Sequence, residues 1–287
     1  MKTYRIVKNI LVVSVALMLF ACSTEDSIWV EDGKEVSVSF RPAIDNSMNS
    51  RTIGDASQID QLIVGVYNED KSKLIYTKEV GWGEVQSEGV ALTLIEGRTY
   101  HILFWAQDDG NTAYSLSDDG IKVDYKDYVD GDFAKMEEMD AFYGTASVTV
   151  GSQNVENKGP ITLTRPLAQI NFADDTTKPI SGTHQAVVTF HGYPTSFNPL
   201  KGEVIMSKTD KIFTFFDFPA ETLTVEGSTY YYISSNYLFV PQNGKINVTL
   251  DLQNVGGNSI KTIELEDVTL EKNKKTNVLG AIVNVKL

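Results

Sequence analysis

The chain has one cysteine, three histidines and eight prolines in 287 residues. A single thiol excludes an intrachain disulfide and a cysteine-based zinc site, so its cores must hold by packing and strand pairing. The histidines offer no clustered ligand set: His101 lies in a strand-like run, and His184 and His191 flank another. No nucleophile elbow, phosphate cradle or dinucleotide fingerprint appears. Gly81-Trp82-Gly83 reads as a turn around an aromatic, and no segment carries a sustained helical period. Basic residues are outnumbered, 25 Lys and Arg against 38 Asp and Glu, for a formal charge of −13. Such a surface repels nucleic acid and anionic headgroups. The expectation is a protein that is not an enzyme, uses no metal or other cofactor and has no nucleic-acid partner.

What is present begins at the N-terminus. Lys2, Arg5 and Lys8 precede an apolar run, Ile10–Phe20, which is shorter than the ~18–20 residues that span a bilayer. The run ends in Leu19-Phe20-Ala21-Cys22, which resembles the lipobox of a bacterial lipoprotein signal, with Cys22 as the lipidated residue. Ser23-Thr24-Glu25-Asp26 resembles the acidic export signal of Bacteroidota surface lipoproteins. Residues 1–21 are therefore expected to be a signal peptide, and polar residues 22–34 a tether, placing the protein at the outer membrane and cell surface.

Apolar content of 42% and aromatic content of 10% suffice for packed cores. Val36-Ser37-Val38-Ser39-Phe40 alternates, with Val36, Val38 and Phe40 inward. A polar, exposed-looking loop, Asp45–Arg51, follows Arg41-Pro42. Leu62–Tyr67, Leu74–Thr77, Gly89–Leu94, Tyr100–Ala106 and Phe142–Val150 read as strands; so do Ala186–Phe190, Ile212–Phe216, Tyr230–Ile233, Tyr237–Val240, Ile246–Leu252, Ile263–Leu265 and Val278–Leu287. Residues 107–141 read as an acidic, aromatic loop with one helical turn near Phe133–Met139, and Phe197–Lys201 as another loop. Short strands at intervals of roughly 8–15 residues argue for an all-β chain of two antiparallel β-sandwiches. Thr162–Phe172 marks the handover, because Pro166 lacks an N–H and fixes φ, so a central strand should break there. The expected domains are 35–163 and 164–287.

Asp118, Asp119, Asp124, Asp127, Asp130 and Asp132 raise a calcium reading, but their spacing does not match the EF-hand loop; a solvated acidic stretch 118–132 is favoured. Tyr230-Tyr231-Tyr232 and Tyr237 read first as core and cross-strand residues rather than a sugar platform. Asp26-Ser27-Ile28 and Asp175-Thr176-Thr177 resemble a short bacterial O-glycosylation sequon, on Ser27 and Thr176.

Four stretches carry a family resemblance. Arg165-Pro166-Leu167-Ala168-Gln169-Ile170 looks like the motif that opens the C-terminal domain of the Bacteroidota fimbrillin superfamily. His101–Gln107 and Asp140–Gly144 resemble recurrent stretches of its N-terminal domain. Asn273-Lys274-Lys275-Thr276-Asn277-Val278-Leu279-Gly280 is similar to its closing motif. With the lipobox these cover residue 22 to about 285. The resemblance implies two transthyretin-like β-sandwich domains in tandem and a structural or adhesive role in a type V surface fimbria, with other fimbrial subunits as partners.

It also implies a route of assembly. Such pilins reach the surface as lipoproteins, an Arg-specific protease cuts a loop after the first strand, and a neighbour's strand fills the vacated groove. Arg51 sits in such a loop, and cutting Arg51–Thr52 would release Val36, Val38 and Phe40 for exchange. Arg41 is a poorer site because Pro42 follows it. The chain stops at Leu287, soon after Gly280, where stalk fimbrillins carry a further donor extension; this speaks for a terminal, accessory or anchor subunit. The alternative is a monomeric surface lipoprotein that binds a glycan or host protein through loops 107–141 or 191–201, using aromatics such as Tyr114 and Tyr125.

Overall fold

A computed structural model describes residues 33–45, 56–153, 159–175, 182–216 and 222–280. Cys22, Ser27, Arg51, Thr52, Thr176 and the last seven residues of the chain lie outside them, and Asp32–Leu287 forms one compact unit.

The first half carries strands β1 (Glu35–Ile44), β2 (Gln61–Tyr67) and β3 (Leu74–Gly81), helix α1 (Trp82–Glu88), then β4 (Val90–Ile95) and β5 (Thr99–Gln107). Short elements follow: β6 (Tyr114–Ser117), β7 (Gly120–Val123), β8 (Asp130–Gly131) and helix α2 (Phe133–Glu137). Strands β9 (Ala141–Thr149) and β10 (Pro160–Leu163) complete it. The second half runs β11 (Leu167–Asp174), β12 (Gln185–His191), β13 (Pro194–Asn198), β14 (Glu203–Met206), β15 (Lys211–Phe216) and β16 (Thr222–Val225). It ends with β17 (Ser228–Phe239), β18 (Lys245–Gln253), β19 (Ser259–Thr269) and β20 (Lys275–Gly280). The fold is all-β, as alternation and strand spacing imply.

The pairing pattern of the first half repeats in the second, although no sequence repeat announces it. In the first, β1 runs antiparallel to β4 and parallel to β10, while β3, β2, β5 and β9 form an antiparallel sheet in that order. In the second, β11 runs antiparallel to β17 and parallel to β20, while β15, β12, β18 and β19 follow the same order. The halves differ in β6–β8 and α2, inserted between β5 and β9, in β13–β14, inserted between β12 and β15, and in the connection that holds α1 in the first half and β16 in the second. The first-half insertion joins the second half, β7 pairing with the inserted β13 and β8 with β15 of the repeated sheet.

Two strands are buried on both faces over most or all of their length. The side chains of β5 alternate between two cores: Ile102, Phe104 and Ala106 join Val36, Val38, Phe40 and Leu92 in one, and Leu103 and Trp105 join the second-half core. Every residue of β11 is buried, so it lies between covering layers on both faces.

Several local readings are corrected. Strand β1 does not stop at Phe40 but continues through Arg41-Pro42 to Ile44; at that point it leaves β4 and pairs with β10, and a residue without an N–H is tolerated at such a change of partner. Gly81-Trp82-Gly83 is not a turn but the start of α1, whose Val85 is buried. Stretch 107–141 is not loop outside its helical turn, which is α2: its apolar residues also build β6 and β7. The Tyr230–Ile233 and Tyr237–Val240 readings merge into one strand, β17, which runs through Ser234–Asn236 and ends at Phe239, with a bulge at Ile233 opposite Phe172 and Ala173. Phe197 and Asn198 lie in β13 rather than a loop. No helix among the described residues is long and apolar enough to cross a membrane.

Candidate strand-exchange site

Strand β1 is built by its alternation. Val36, Val38 and Phe40 are each 2% exposed or less, and Ser37 and Ser39 face outward, half-buried. The inward residues oppose Leu94, Leu92 and Val90 of β4 in turn. The Phe40 ring lies 5.4 Å from that of Phe104, tilted by 59°. Pro42 continues the inward parity and is also buried. The strand is tied at both ends: Glu96 N–H donates to Lys34 O at 2.8 Å, and Asp45 N–H donates to Leu163 O at 2.9 Å.

Its two partners are engaged in succession. Glu35–Phe40 pairs with β4, and Arg41–Ile44 pairs with β10. Among the described residues β4 has no other ladder partner, whereas the end of β10 leads into a bridge between Thr164 and Tyr143. Gly89 makes the changeover possible. Its φ is +79°, and a Cβ there would sit 2.5 Å from the Phe40 carbonyl oxygen, so both conformation and space call for glycine. Beside the second half of β1 runs an open groove of about 530 Å³, lined by Arg41–Ile44, Ala56, Trp82, Val85, Gln86 and Pro160. Residues 46–55, which carry Arg51, connect Asp45 to Ala56.

Arg165 and Pro166 fall between β10 and β11. Arg165 is buried, and its guanidinium grips the Asp140 carboxylate in a fork, Nε to Oδ1 at 2.5 Å and Nη2 to Oδ2 at 2.7 Å. Nη1 donates to Asn273 Oδ1 at 2.7 Å, and the group lies over the Phe142 ring at 4.4 Å. Three of the four stretches singled out in the sequence, Asp140–Gly144, Arg165–Ile170 and Asn273–Gly280, thus meet around one cation. Nearby, Glu137 of α2 accepts from Tyr237 Oη at 2.7 Å and from Gln169 Nε2 at 3.1 Å. Burial raises the Glu137 carboxyl above its ordinary value, against the lowering effect of the Tyr237 hydrogen bond. The fourth stretch packs beside them: Trp105 Nε1 donates to Gln107 Oε1 at 2.8 Å, and its ring meets Tyr114 and Phe239.

Other singled-out residues are dispersed. His101 lies between Ser147 Oγ and the Glu69 carbonyl, His184 packs on Phe216, and His191 bonds Asp210 and Thr249. The acids of 118–132 close separate local contacts: Asp118 accepts from Leu74 N–H, Asp124 from Lys126 N–H, and Asp127 from the Thr112 hydroxyl. Tyr114 and Tyr125, expected as exposed loop aromatics, are buried at 6% and 2%. Tyr114 Oη donates to Met139 O, and the Tyr125 ring packs on Tyr193 and Phe213. Of the Tyr230–Tyr232 run all three are partly exposed, while Tyr237 is core.

Solved structures share this fold. A candidate adhesin from Bacteroides ovatus superposes with a TM-score of 0.52 at 15% identity, covering 85% of this chain and 88% of that one. A candidate polysaccharide-binding protein from Bacteroides thetaiotaomicron gives 0.51 at 13%, covering 85% and 89%. A candidate adhesin from the same species gives 0.50 at 16%, covering 82% and 81%. At these identities the likeness is one of fold. No curated protein sequence matches the chain. Residues 30–286, most of the chain, match one family, and the chain belongs to it: the family of unknown function DUF6562.

Proposed function

We propose that this protein is a cell-surface fimbrial or adhesin-type subunit, exported as a lipoprotein through Cys22 and joined to its neighbours by β-strand complementation at the position of β1. On this reading the chain is two β-sandwich domains, 35–163 and 164–287, hinged on Arg165-Pro166, and cleavage after Arg51 frees the first strand.

The observation that carries the reading is that, among the described residues, β1 is the one ladder partner of β4. Withdrawal of β1 uncovers Val36, Val38 and Phe40, about 5–9 kcal/mol of burial at ~1.5–3 per side chain. It also strips β4 of its ladder and leaves Val90, Leu92 and Leu94 facing an open core. Such an edge accepts another strand. Strand β11, the counterpart of β1 in the second half, is buried on both faces and is not removable in this way. The sharing of fold with Bacteroides candidate adhesins supports the same reading. A monomeric binder working through Tyr114 and Tyr125 loses support, since both rings are core residues.

The test is self-association. The chain cut after Arg51 should oligomerise, or take up a strand from added uncut protein, as read by size-exclusion chromatography with light scattering. A cut chain that sheds β1 and stays a stable monomer would contradict the reading.

A further inference from the structure

We propose that the position of β1 is a directional, keyed slot: it accepts only a strand that runs with β1's own polarity, places a large aromatic ring at its third inward position and tolerates a residue without an N–H two places later. The inference rests on the strand-exchange reading and names the kind of partner that the site takes.

Three features set the key. The first is polarity. An occupant must be antiparallel to β4 over Val90–Ile95 and then parallel to β10 over Pro160–Leu163. The two ladders place their donors and acceptors differently, paired and perpendicular in one, evenly spaced and slanted in the other. A strand inserted backwards would meet both with the wrong pattern at once.

The second is the sequence of pockets. Inward positions run Val36, Val38, Phe40, Pro42. The third holds the Phe40 ring, buried and against the Phe104 ring at a centroid distance of 5.4 Å. A smaller side chain would leave a void in a close-packed core. The third feature is the changeover. Gly89 lets the occupant's backbone pass within van der Waals contact at the Phe40 carbonyl, and Pro42 follows where the strand leaves β4. An occupant therefore reads, from its N-terminal end, aliphatic, small polar, aliphatic, small polar, aromatic, any, then proline or a residue that needs no hydrogen bond. That is an extended segment of another polypeptide, not a helix or a glycan.

The test uses the full chain with a sequence-specific protease site inserted between Asn49 and Ser50. After cutting, fluorescent peptides are offered and retention on the protein is measured. The first has the sequence of Glu35–Ile44, the second the same residues in reverse order, and the third carries Phe40→Ala. The forward peptide should displace the cut fragment. The reversed one should bind at least about 10-fold more weakly, since it must either misplace backbone hydrogen bonds by running backwards or misplace its side chains by running forwards. The alanine peptide should bind about 100-fold more weakly or worse. Equal binding of the reversed peptide, which can match either the polarity or the order of pockets but not both, would overturn the keyed slot, and equal binding of the alanine peptide would overturn the aromatic key. If no peptide exchanges at all, the strand-exchange reading itself fails and takes the key with it.

Discussion

Replacing Arg165 with methionine removes a cation but keeps a long side chain of similar reach, which makes it a sharp probe of the clamp between the recurrent stretches. In the wild type Arg165 holds Asp140 by two hydrogen bonds, reaches Asn273 and covers Phe142, with the whole group about 5% exposed. The substitution leaves the Asp140 carboxylate buried without its fork. Breaking one side of such a buried pair costs about 3–5 kcal/mol. For a chain of this size each kcal/mol lowers Tm by about 2–4 °C, so a drop of about 6–20 °C is expected by calorimetry. Asp140→Leu should cost a similar amount. The double variant should cost clearly less than the sum, because it removes the stranded charge as well as the pair. A loss under about 1 kcal/mol for Arg165→Met, or a double variant that is simply additive, would refute the view that this pair is a desolvated clamp.

Three further outcomes follow from the geometry. Phe40→Ala should destabilise the intact chain by about 3–5 kcal/mol, while Ser39→Ala on the outward face should stay within about 0.5, as read by urea unfolding. Gly89→Ala should cost about 1–3 kcal/mol because its φ is positive and its Cβ would meet the Phe40 carbonyl; faster proteolysis within β1 is the second readout. Glu137 has a folded pKa raised above its ordinary value of 4.5, so the folded state binds its proton more tightly than the unfolded one. Its contribution to stability therefore rises as pH falls from neutrality through the raised value and levels off near 4.5. Subtracting the pH–stability curve of Glu137→Gln from that of the wild type should reveal this rise, and a difference curve that is flat or falls towards acid would contradict it.

The sequence made the all-β class legible because period-two alternation is set by the backbone itself, as in Val36–Phe40 and Ile246–Leu252. It marked Pro166 as a break for the same kind of local reason. What stayed hidden is non-local. Nothing in Val90–Leu94 says that its one ladder neighbour is β1, or that Arg165, Asp140 and Asn273 meet. The family resemblance of those three stretches is the available signal, and what they share in the structure is one cation. Tyr114 and Tyr125 misled because polar, acidic neighbours resemble a solvated loop, while the rings themselves fill the space between the inserted segment and the second-half core. Gly81-Trp82-Gly83 misled because glycine flanks an aromatic in turns and at helix starts alike, and only the burial of Val85 distinguishes them.

The central claim is that β1 is exchanged, and the N-terminal residue and intact mass of the protein taken from the native cell surface test it most directly. The prediction is a mature chain that begins at Thr52, so that a neighbour's strand must occupy the β1 position. A protein that begins only at a lipidated Cys22, with β1 still attached, would contradict it.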